Sequence, residues 1–137
     1  MTIRSSVVLA VSAGVILAAV PVLAHHSFAA EYDRNKPVTI TGAVTRVQWI
    51  NPHARFHIDV KDDGGKIVNW EIEMGSPAGL IRRGWTRNSL KIGESVTVAG
   101  FLAKDGSSLV NSTTVTLSDG RRVFAGSSSE AGTNPNP

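Results

Sequence analysis

The sequence predicts an all-β fold, a small five-stranded OB-like barrel with one short helix between strands 3 and 4. Three features predict it. Short β-rich runs are separated by turn residues at intervals that suit an antiparallel barrel or sandwich. A helix signal falls after the third run, and two further strand runs follow it, which is the element order of the five-stranded OB fold.

The first run, Val38 to Trp49, alternates apolar and polar residues and then shifts phase near Arg46, as a long bent strand with a bulge would. Gly42 marks a bend or a close backbone approach within it. Asn51-Pro52 ends the run and starts a new segment. Arg55 to Lys61 puts Phe56, Ile58 and Val60 on one face, and Val68, Trp70, Ile72 and Met74 form the matching apolar face of the next strand. Asp62-Asp-Gly-Gly-Lys66 between them is a hairpin turn. Pairing Asp62 with Lys66 sets Val60 opposite Val68, Ile58 opposite Trp70 and Phe56 opposite Ile72; a slip of one residue would turn these side chains away from each other.

Ser76-Pro77 reads as an N-cap with proline at the first helical position, and Arg82-Arg-Gly84 as a basic helix end with a glycine cap. The helix between them spans about two turns. Gly93 to Leu102 gives the fourth strand and Leu109 to Leu117 the fifth, with a turn at Lys104-Asp-Gly106. Ser118-Asp-Gly120 turns into a short strand ending near Phe124. Trp70 points inward by its phase, and Trp85, just past the helix, is read as a plug for the barrel end.

Residues 1–24 have the layout of a secretory signal peptide: Arg4 is a short positive region, Val7 to Leu23 is apolar, and Val22-Leu-Ala24 offers compact residues to a leader peptidase. The apolar run approaches the length of a membrane span, but Ser12, Gly14 and Pro21 weaken such a helix. The expectation is cleavage after Ala24, a periplasmic location, and no permanent membrane span. Residues 25–37 then form an N-terminal extension, 38–124 the OB-like domain, and 125–137 a tail without apolar residues to bury, expected to be disordered.

Cleavage takes 24 residues from a chain of 137 and leaves 113, enough for one core. Losing Arg4 leaves 13 basic against 11 acidic residues, a mixed surface that does not suit a polyanion. The chain has no cysteine, so disulfides and thiolate metal sites are excluded. A metal would be held by histidine, carboxylate, amine or backbone groups.

Several motifs in order, His25-His-Ser-Phe28, Trp49-Ile-Asn-Pro-His-Ala54, Trp70-Glu-Ile-Glu73, Arg83-Gly-Trp85 and Asp119-Gly-Arg121, resemble a family of small exported bacterial proteins classed as a domain of unknown function. The resemblance spans nearly all of residues 25 to 124. It implies a periplasmic location and an OB-like barrel, and it carries no established activity.

The four histidines, His25, His26, His53 and His57, fall within 33 residues. Cleavage after Ala24 would make His25 the new terminus, whose α-amine and ring nitrogen form a chelate that one more histidine completes as a histidine brace. His26 at position two offers an alternative, binding with the α-amine and the intervening amide nitrogen. Both arrangements favour Cu(II), which prefers tetragonal nitrogen ligation. The hairpin register sets His57 opposite Glu71 on the outer face, close enough to share a metal or a hydrogen bond. The expected metal set is therefore His25, His26, His53, His57 and Glu71. The ordinary alternative is a frayed terminus, a turn histidine at His53 and a surface His57–Glu71 pair.

Arg55 lies opposite Glu73 and neutralises it on what reads as a solvated charged face. Two carboxylates two apart on a strand are too common a pattern to indicate glycosidase chemistry. Gly75-Ser-Pro-Ala-Gly79 does not match the nucleophile elbow, and there is no phosphate-binding glycine loop. The outer face of strands 2 and 3 lacks a stacking platform and carries carboxylates, so no nucleic-acid partner is expected. The expected function is non-enzymatic: a monomeric or weakly associating binding module taking copper, with a metal-free envelope protein that binds a protein or saccharide as the alternative.

Overall fold

The computed structural model describes residues 28–126. The expected leader, His25, His26 and nearly all of the predicted tail lie outside these residues. Among the described residues no helix is long and apolar enough to cross a membrane.

Six strands form one sheet: β1 (Tyr32–Gln48), β2 (Arg55–Lys61), β3 (Ile67–Glu73), β4 (Ser95–Ala103), β5 (Leu109–Thr116) and β6 (Arg122–Phe124). Two short helices accompany them, α1 (Phe28–Glu31) and α2 (Pro77–Arg82). β1 pairs with both β2 and β4, β4 pairs with β5, and β5 returns to β3 in parallel. That last pairing closes β1 to β5 into a ring, while β6 extends β5 outside it. The predicted all-β class, the OB order and the helix between strands 3 and 4 are all present.

The β2–β3 hairpin has the expected register, with Val60 opposite Val68, Ile58 opposite Trp70 and Phe56 opposite Ile72. Its turn is held by Asp62, whose Oδ1 accepts from the backbone N–H groups of Gly64 at 3.0 Å and Lys66 at 2.8 Å. Gly65 supplies the positive φ, 81°, that closes a three-residue loop. The phase shift near Arg46 is a bulge, where the β1–β2 register slips between Val44 and Arg46. A Cβ on Gly42 would overlap the carbonyl oxygen of Asp59, so the glycine permits β1 to approach β2 closely.

β1 starts at Tyr32, earlier than the expected Val38. The segment Asp33 to Lys36 is polar and lacks alternation, and the β1–β4 register shifts between Tyr32 and Pro37. Pairing resumes on either side of these residues, which is why the sequence pattern alone points to the later start. Lys104 ties α1 to the end of β4, its backbone N–H donating to the Glu31 carbonyl at 2.8 Å and its Nζ to the Ala29 carbonyl at 2.5 Å.

The ring is filled by inward-facing Val44, Phe56, Ile58, Ile72, Val98 and Val110, all at most 1 % exposed. Trp70 is half-buried and packs against this cluster. Ser76 caps α2, its Oγ accepting from the Gly79 N–H at 3.2 Å. Gly84 follows with φ 93°, where glycine avoids the strain other residues would meet. Trp85 is 2 % exposed and its Nε1 donates to the Phe124 carbonyl at 2.9 Å, so it plugs the ring end between α2 and β6. Arg83, from the basic helix end, stacks 4.0 Å over the Phe124 ring.

Candidate functional site

Alternation along β2 and β3 sends Phe56, Ile58 and Ile72 into the ring and Arg55, His57, Asn69, Glu71 and Glu73 to the outer face. The register pairs Arg55 with Glu73 and His57 with Glu71, as the hairpin turn dictates. The side chains do not all follow the register. Arg55 bridges both carboxylates, donating from Nη2 to Glu73 Oε2 at 3.1 Å and from Nη1 to Glu71 Oε1. Glu71 is thus held by Arg55 and not by His57.

His57 leans along the strand to Asn69, with Nδ1 3.2 Å from Asn69 Oδ1. The Asn69 amide nitrogen donates to Asp59 Oδ1 at 2.7 Å, and a carboxylate at pH 7 only accepts. The other end of the amide is therefore its oxygen, and His57 Nδ1 must be the donor. His53 obeys the same logic: its Nδ1 lies 3.0 Å from the Met74 carbonyl, which also only accepts. Both rings thus carry a proton on Nδ1, so that in the neutral ring the lone pair is on Nε2, the tautomer in which metal-binding histidines are held by an outer partner. Asn69, and not Glu71, makes the hydrogen bond to His57.

His53 and His57 line one cleft of about 270 Å³ with Arg46, Gln48, Ile50, Asn51, Pro52, Arg55 and Glu71. His53 precedes β2 and His57 lies within it, and the two rings are held by different partners, the Met74 carbonyl and Asn69. Among the described residues no three His, Cys, Asp or Glu side chains are gathered closely enough to hold a metal ion. His25 and His26 lie outside the described residues.

Glu73 departs from the expected solvated face, being 6 % exposed. It is covered from two sides that the hairpin pattern does not reveal. Its register partner on β5 is Asn111, also 6 % exposed, whose Nδ2 donates to Glu73 Oε1 at 3.4 Å. From the start of β1 comes Tyr32, 2 % exposed, with its ring 5.5 Å from that of Phe28, which in turn sits 5.6 Å from Phe101 of β4. His53 Nδ1 borders the same carboxylate at 3.9 Å from Oε1. Tyr32, Asn69 and Asn111 are the site residues that the sequence pattern missed; the first lies outside the predicted barrel, and the last needs the β3–β5 closure to reach Glu73.

Burial, and then the negative charge of Glu73, push the Tyr32 hydroxyl well above the usual tyrosine range. Below pH about 10 the hydroxyl is neutral in both folded and unfolded chains, so it contributes no pH dependence. Above that pH the unfolded chain loses the proton and the folded chain keeps it, and stability falls by about 1.4 kcal/mol per pH unit. Tyr32 is the sole tyrosine of the chain, which makes tyrosinate absorbance a direct readout. The expected result is no ionisation in the folded protein on raising pH, then a single step coincident with loss of near-ultraviolet dichroism. A smooth titration near pH 10 with the fold intact would contradict the burial of this hydroxyl.

Fold and site together define a small closed β-ring of OB order that carries a buried Tyr–Glu–Asn cluster, with the partly exposed Arg55 paired to its glutamate, beside a histidine-lined polar cleft. The chain belongs to DUF6152, a family of unknown function, whose model matches residues 12–111. No curated protein is a significant match to it.

Proposed function

We propose that the mature chain is a periplasmic binding module that takes Cu(II) between its processed N-terminus and one histidine of the β2 cleft. The observation that carries this reading is the state of the two rings: His53 and His57 each commit Nδ1 as a donor, leaving Nε2 as the basic nitrogen beside the same cleft.

The remaining ligands come from His25, whose α-amine and ring form the chelate, or from His26 through the α-amine and intervening amide. Reach supports this. Phe28 rests on Phe101 and Tyr32, on the outer side of β4, and the Tyr32 side chain extends to Glu73 next to Arg55 and His53. Three residues of extended chain from Phe28 to His25 cover about 10 Å, and the histidine side chain adds to that. Without cysteine, and with neutral nitrogen donors, the set favours Cu(II) over the other divalent first-row ions. Glu71, tied to Arg55, stays outside the coordination sphere.

The test is the metal content of the chain isolated from the envelope of its host without chelators. Stoichiometric copper, lost in the His53→Ala/His57→Ala double variant, is the expected result. Metal-free protein that takes up no copper would overturn the reading and direct attention to a protein or saccharide partner.

A further inference from the structure

We infer that the cleft over β1 and β2 binds a small hydroxy acid, with its carboxylate on the guanidinium of Arg46 and its hydroxyl on the ring of His57. The inference goes beyond the copper reading and requires neither a metal nor the N-terminus. The first ground is charge. Arg46, Arg55 and Glu71 are the charged side chains that line the cleft. Arg55 is committed to Glu71 and to the buried Glu73. Arg46 has no ion-pair partner among the described residues. The uncompensated charge in the cleft is therefore one guanidinium, which a singly charged carboxylate matches through two parallel hydrogen bonds. A phosphate dianion would exceed that charge and would meet the Glu71 carboxylate.

The second ground is position. Arg46 and His57 are direct partners across β1 and β2, which places their Cβ atoms about 5 Å apart. The bulge between Val44 and Arg46 sits at this pair, a device that re-aims side chains at sites. His57 commits Nδ1 as a donor to Asn69, so Nε2 of the neutral ring is an acceptor. An acceptor beside a guanidinium takes the hydroxyl of a ligand whose carboxylate Arg46 holds, and so separates a hydroxy acid from a plain carboxylate. The third ground is the remaining lining. The amides of Gln48 and Asn51 border the cleft without a hydrogen-bond partner among the described residues, and they serve further hydroxyls. A volume of about 270 Å³ lies just below the range for drug-sized ligands and suits a molecule no larger than a monosaccharide acid.

The probes are glycolate and glucuronate, titrated into metal-free protein at constant ionic strength and at pH 8, above the ordinary histidine range. Binding is followed by proton–nitrogen NMR at the backbone amides of Arg46 and His57. Acetate lacks the hydroxyl of glycolate, and glucose lacks the carboxylate of glucuronate. Glucuronate should bind with a Kd of about 1 mM or tighter, and at least about tenfold more tightly than glucose. Glycolate should bind about fivefold more tightly than acetate, the effect of one neutral hydrogen bond. Arg46→Gln should bring glucuronate down to the level of glucose, with Arg46→Lys recovering part of the loss, and His57→Ala should erase the preference for glycolate. The inference is overturned if neither hydroxy acid binds, if glucuronate binds Arg46→Gln as well as the parent, or if the glycolate preference survives His57→Ala. Inorganic phosphate binding more tightly than either hydroxy acid would also overturn it, by marking a general anion site. None of these outcomes bears on the copper reading, because no metal is present.

Discussion

If the proposed copper site is right, replacing His25 with alanine in the mature chain is expected to lower Cu(II) affinity by about 10²- to 10⁴-fold, because it would remove one arm of a chelate whose second contact is made at high effective concentration. The α-amine survives the substitution, so the loss reports the imidazole alone. His26→Ala distinguishes the two N-terminal arrangements. If the α-amine and the His25 ring form the chelate, the His26 variant binds nearly as well as the parent. If binding runs through the amine, the intervening amide and His26, the order of the two variants reverses, and the complex forms only where that amide can deprotonate. Isothermal titration of the two variants and the parent resolves this. Unchanged affinity in His25→Ala would rule out the brace.

Trp85→Ala is expected to cost about 3–5 kcal/mol of folding stability, the usual range for deleting a large buried aromatic. The side chain is 2 % exposed, and its loss opens a void at the end of the ring between α2 and β6. It also leaves the Phe124 carbonyl without its indole donor. For a domain of this size the melting temperature should fall by more than about 12 °C. Trp85→Phe, which fills most of the space and lacks the N–H, should recover most of that loss. A drop of only a few degrees in Trp85→Ala by differential scanning calorimetry would mean that Trp85 does not close the core.

Local signals on the sequence carried most of the fold. Asp62-Asp-Gly-Gly-Lys66 fixes the hairpin register because a three-residue loop admits one alignment of the apolar faces, and the structure adopts it from Val60–Val68 to Phe56–Ile72. Ser76-Pro77 and Gly84 bound α2 through capping chemistry that is equally local. The start of β1 was less legible, since Asp33 to Lys36 show no alternation and only the pairing of Tyr32 with Ala103 makes the segment a strand.

The site divides along the same line. Which residues share the outer face of β2 and β3 follows from register, so Arg55, His57, Glu71 and Glu73 were correctly placed together. Which of them touch is decided by side-chain reach. The long Arg55 side chain takes both carboxylates, and His57 then turns to Asn69. The burial of Glu73 depends on contacts 38 and 41 positions away in sequence, to Asn111 and Tyr32, which no local pattern encodes.

The most direct test of an N-terminal copper site is a Cu(II) titration, followed by electron paramagnetic resonance, of mature protein with a verified His25 terminus against the same protein carrying one extra residue ahead of His25. Tight one-to-one binding with a tetragonal nitrogen spectrum in the first, collapsing in the second because the α-amine no longer adjoins the His25 ring, is the predicted result. Weak binding that is indifferent to the extra residue would contradict it.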